Sequence, residues 1–104
     1  MISIIVDRDA EGLVRACQIS GHAGYDEAGY DIVCAAVSAL SCTAIVGLEQ
    51  VAKQKGHYSN GEGQCRIDLS GPITESGQAI LETMILGLSE ISRQYSEFVK
   101  VSET

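Results

Sequence analysis

A single α+β domain of order ββαββαβ, with two helices packed on small mixed or antiparallel sheets, is the fold that this chain of 104 residues predicts. Three observations carry it. The length suits one hydrophobic core and leaves little room for a second. Short runs alternate apolar and polar residues with a period of two, and two longer runs carry apolar residues at helical spacing. No repeat, linker or low-complexity tract separates them.

The first run sets Ile2, Ile4 and Val6 against Ser3, Ile5 and Asp7, which predicts a strand over residues 2–7. "DRDAEG" supplies turn residues, and "LVRACQIS" alternates again with Leu13, Cys17 and Ile19 on one side, so these runs form a hairpin. Residues 21–30 hold three glycines and no periodicity, as expected of a loop with freedom to move. Asp31 is suited to cap a helix that runs to about Lys55 and stops at Gly56. Its apolar residues, among them Ile32, Val37, Leu40, Ile45 and Val51, surround the axis, so it must be covered on more than one side, by sheet on each side or by a sheet and a partner subunit. "QCRIDLS" predicts a strand paired with "HYS". After "GPITESG", Ile80, Leu81, Met84, Ile85, Leu88 and Ile91 make an amphipathic helical stripe, and "SEFVKVS" closes the chain as a strand.

Composition excludes several function classes. The net charge of -7, with no cluster of Lys and Arg, lacks the electrostatic footprint of a nucleic-acid surface, and such acidity serves either a basic peptide or protein partner or solubility alone. Ile32 to Leu48 is uncharged over 17 residues, short of the usual span and interrupted by Ser38, Ser41 and Thr43, so a buried helix is expected rather than a membrane segment. "MISIIVDRDAEG" has no basic region or cleavage site of a signal peptide, which predicts a cytoplasmic location with Cys17, Cys34, Cys42 and Cys65 reduced.

Cys34 falls in the first turn of the predicted helix, where unpaired amides carry partial positive charge and favour a thiolate, although the carboxylate of Asp31 opposes them. His22 precedes it by 12 positions, and a loop of that length can fold back on the helix start. A cysteine and a histidine in contact are the minimum for thiol catalysis, with glycine and helix amides available to hold an oxyanion. The competing structural reading makes Cys34 a small buried apolar residue and His22 a turn residue. Cys17, Cys42 and Cys65 read as packing, and His57 as a donor to the carbonyls ending the first helix. Ser38, one turn beyond Cys34, either bonds to the pair or loop or back-bonds to its own helix. No close Cys/His pair of the zinc type is present, so a metal is not expected. Cys42 lies two helical turns from Cys34, about 12 Å along the axis, which argues against a redox pair within one subunit.

"SGHAGYDEAGYDIVCAAVSAL" resembles the motif of the ribosomal-processing cysteine protease family (Prp, YsxB-like), and the likeness extends to chain length, element order and "ILETMILGLSEI". The resemblance implies a small homodimeric cytosolic endopeptidase without a cofactor, with Cys34 as nucleophile and His22 as base. It further implies a substrate, the short N-terminal extension of a large-subunit ribosomal protein, cut after a hydrophobic, aromatic-ending segment. Gly21, Asp31 and Ser38 match the motif as supporting residues for the turn, the cap and a hydrogen bond to the site. Neither Asp26 nor Asp31 is singled out to orient His22. A non-catalytic assembly partner that binds the same basic protein is the alternative.

Overall fold

The computed structural model describes residues 1–27 and 31–104. Residues 28–30, the end of the predicted mobile loop, lie outside the described part. Five strands, β1 (Ile2–Arg8), β2 (Val14–Ser20), β3 (Gly56–Gly61), β4 (Gln64–Leu69) and β5 (Val99–Glu103), join in one mixed sheet of order β3-β4-β2-β1-β5. Both predicted hairpins form, β2 pairs with β4, and β5 lies parallel to β1 with Ile4 opposite Val101. The order ββαββαβ holds, and the strands make a single sheet rather than several small ones.

Alternation decides which face is buried. Ile2, Ile4, Val6, Cys17, Ile19, Cys65, Ile67, Leu69 and Val99 form one apolar face, covered by helices α1 (Ile32–Val46) and α2 (Glu75–Gln94). Helix α1 contributes Val33, Val37 and Ala44 to this core, and α2 contributes Leu81, Met84, Ile85 and Leu88. The helices also meet each other at close-approach points: a Cβ on Gly47 would lie 3.2 Å from Ile80 Cδ1, and one on Gly87 would lie 3.0 Å from Leu40 Cδ1. Sheet and α2 thus cover α1 on two sides, while Ile32, Val46 and Val51 stay exposed.

Three local expectations need correction. Leu13 was expected inside, but Val14 takes that place, because a register shift between Asp7 and Arg8 interrupts the alternation opposite the start of β2. The first helix does not run regularly to Gly56. It passes into a π-helical turn over Gly47–Val51, in which Ala52 N donates to Gly47 O, and it ends at Lys53, whose φ of 51° supplies the left-handed residue expected of a glycine. His57 therefore sits in β3, exposed and opposite Asp68, not at the carbonyl end of the helix.

Buried Gln54 closes this junction. Its amide nitrogen donates to the carbonyls of Lys55 and Pro72, and its amide oxygen accepts from Thr74 N, the N-cap of α2. All buried polar side-chain atoms among the described residues are hydrogen-bonded, as a stable core requires.

Candidate active site

The C-terminal end of β2, the N-terminal end of α1 and the turn between β3 and β4 converge on a cavity of about 440 Å³. Gly21, His22, Asp31, Cys34 and Ser38 all line it, so the fold brings every site residue expected from the sequence to one place. Residues 60–64 of the β3–β4 hairpin form the opposite wall.

Asp31 explains how the helix start and the loop are held together. Its Oδ1 accepts from Val33 N and Cys34 N, both at 3.0 Å, which caps α1 as the sequence predicts. Its Oδ2 accepts from Tyr25 N at 3.1 Å and Asp26 N at 3.5 Å, so one buried carboxylate fixes both segments. Burial acts to raise the carboxyl pKa, but the four amides together outweigh it and leave the group below the ordinary Asp value. Loop residue Tyr25 is also packed edge-on against Tyr95, with ring centroids 5.6 Å apart, and against Phe98 at 5.2 Å.

Because the folded carboxyl has the lower pKa, the stability it contributes is complete above the unfolded value of about 4 and is lost as pH falls through the folded value. Asp31→Ala should lower stability by about 1–2 kcal/mol at neutral pH, the usual cost of a lost cap. Thermal melts across the acid range should show a shallower pH dependence in the variant than in the parent.

Cys34 is half-buried, and its sulfur accepts a hydrogen bond from Ala23 N at 3.3 Å. That amide comes from the loop, not from the helix. Three of the helix-start amides expected to serve an oxyanion are already used, since Asp31 Oδ1 takes those of Val33 and Cys34, and Asp31 O takes that of Ala35. Ala23 thus meets the Cys34 sulfur through its backbone, a contact that residue types do not signal.

His22 is exposed and borders the same cavity, and among the described residues no hydrogen bond joins its ring to the sulfur or to Asp26 or Asp31. Its backbone is fixed at Gly21, whose N donates to Gly63 O at 2.9 Å and whose φ of 95° requires glycine. A Cβ there would also collide with Met1 O. Ser38 is exposed to the cavity, and among the described residues its hydroxyl neither back-bonds to the helix nor reaches the loop, while its carbonyl accepts from Ser41 Oγ.

The other thiols differ in setting. Burial, then the neighbouring Cys65 thiol and Asp7, pushes Cys17 up to about 12, and burial likewise raises Cys65. Cys42 Sγ accepts from Asn60 Nδ2 at 2.6 Å. Cys34 alone combines partial exposure, a helix start and a cavity wall shared with histidine.

Comparison with known proteins fits this arrangement. The family model described as Cysteine protease Prp matches residues 1–100. The chain belongs to the Prp family of cysteine proteases. Ribosomal processing cysteine protease Prp of Staphylococcus aureus is 33% identical over 105 residues, covering 98% of each chain. The solved structure of S. aureus Prp with a covalently linked product peptide superposes with a TM-score of 0.95 at 26% identity, and that with a substrate peptide with 0.89 at 25%, each covering 100% of both chains. As a Prp family member the chain is a peptide-bond hydrolase, and its fold of two helices on a five-stranded mixed sheet is the Prp fold.

Proposed function

We propose that this protein removes the short N-terminal extension of a large-subunit ribosomal protein, with Cys34 as nucleophile and His22 as general base. The observation that carries the reading is the shared cavity, in which a partly exposed helix-start thiol, bonded to a loop amide, faces the space that His22 also borders. Peptide complexes of the S. aureus relative support a peptide substrate. The reading as a non-catalytic assembly partner gives way to family membership.

In the first half-reaction His22 takes the Cys34 thiol proton as sulfur attacks the scissile carbonyl carbon, and the carbonyl electron pair moves onto oxygen. The Ala23 amide, which donates to the sulfur at 3.3 Å, is a loop donor available beside the reacting carbonyl to take the developing oxyanion. Collapse breaks the C–N bond, and His22 returns the proton to the leaving amine. Water then adds to the thioester with His22 again accepting a proton, which releases the acid and restores the thiol. Gly21 and Asp31 hold the loop and helix start in place, and Ser38 offers a hydroxyl to the bound peptide or the pair.

The cavity floor of Ile2, Ile19 and Val37 suits an apolar side chain before the cut, and the net charge of -7 draws a basic ribosomal protein. Exposed Ile32 and Val46 on α1 and Val51 on the π turn that follows support a homodimer, and a ribosomal protein as substrate would have it act in the cytoplasm, where ribosomes assemble. The test is incubation of the protein with such a ribosomal protein carrying its extension, followed by intact-mass measurement. Loss of the extension, slowed when its apolar residues are replaced by Ser, is expected. An extension left whole by protein that hydrolyses a generic peptide would contradict the substrate assignment.

A further inference from the structure

The turn that joins β3 to β4, "NGEGQ", has no role in the reaction as described so far, yet it touches the histidine. Gly63 adopts φ 72°, and a Cβ placed on it would lie 2.8 Å from His22 Nε2, 3.2 Å from Cε1 and 3.6 Å from Cδ2. The imidazole edge therefore rests on a bare glycine. The same residue accepts from Gly21 N at 2.9 Å through its carbonyl, so it fixes the backbone beside His22 as well as the ring.

We infer that Gly63 is a positioning residue, the seat against which the β3–β4 hairpin holds the His22 ring in place for proton transfer with Cys34. Resting on the assignment of His22 as base, the inference adds a residue 41 positions away in sequence, 63 minus 22. Any side chain at this position meets the far end of the histidine side chain, not backbone. A ring can yield by rotating about its side-chain torsions, so the fold survives while the imidazole moves. A displacement of about 1 Å in a catalytic group is enough to cost roughly 100-fold in rate.

Gly63→Ala combines the ring clash with the strain of a left-handed alanine, and Gly63→Asn keeps the clash while tolerating that backbone. Gly12, at φ 84° with open space around it, provides the matched control, since Gly12→Ala carries the strain without touching the site. Cleavage of the extended ribosomal protein, thermal melting, and alkylation of Cys34 by iodoacetamide against pH should be measured for each.

Both Gly63 variants should lose roughly 10- to 100-fold in kcat with KM little changed. Their Cys34 alkylation curves should move the same way as that of His22→Ala, and Gly12→Ala should cleave like the parent. In a His22→Ala background, Gly63→Asn should add no further loss. Full activity in Gly63→Asn, or an equal loss with and without His22, would overturn the seat while leaving His22 as base. An alkylation curve unchanged by His22→Ala would remove the base itself, and the seat with it.

Discussion

Replacement of Cys34 by Ala is expected to reduce cleavage of the extended ribosomal protein by at least about 10⁴-fold, the scale on which loss of a nucleophile registers. No other described thiol can take its place. Cys17 and Cys65 are buried, and Cys42 is engaged with Asn60. The substitution removes only one sulfur from a partly exposed site, so the melting temperature should stay close to that of the parent. Full-rate cleavage by folded Cys34→Ala protein, with contaminating protease excluded by a repeat purification, would contradict the assignment of the nucleophile.

Loss of His22 should be the next largest effect. His22→Ala is expected to lower kcat by roughly 10²- to 10⁴-fold, the usual contribution of a positioned acid–base group, with little change in KM. Because the ring is exposed and its residue is fixed through the neighbouring Gly21 amide, the fold should not depend on it. Alkylation of Cys34 at neutral pH should also slow, since the imidazole no longer accepts the thiol proton. A variant that cleaves like the parent would show that another group, or water, carries the proton.

The element order was legible because buried faces impose a period on the residues. Ile2, Ile4 and Val6, or Cys65, Ile67 and Leu69, mark strands with one covered face, and the stripe from Ile80 to Ile91 marks a helix lying on a sheet. The end of the first helix was less legible. Lys53 adopts a conformation that its residue type rarely takes, held there by the π turn before it and the Gln54 bonds after it. Leu13 and Val14 exchanged places because a bulge at Arg15, between the pairs Asp7–Ala16 and Arg8–Val14, shifts the phase of β2, and no property of either residue announces it. The parallel pairing of β5 with β1 joins residues at opposite ends of the chain, a non-local contact beyond the reach of any periodicity.

The site divides in the same way. Cys34, His22 and Asp31 stand out by residue type and spacing, and the cap predicted for Asp31 forms as expected. The second half of that carboxylate's work, holding Tyr25 and Asp26, depends on how the loop returns. Ala23 and Gly63 contribute a backbone amide and a missing side chain, which acquire meaning only through the groups that the fold sets beside them.

A covalent link from substrate to Cys34 is the central claim, and acid quenching during turnover followed by peptide mass mapping tests it most directly. The predicted result is the peptide containing Cys34 heavier by the mass of the released N-terminal segment less one water, with the adduct absent in Cys34→Ala. Cleavage that proceeds while Cys34 stays unmodified at every quench time, or an adduct on a different residue, would contradict it.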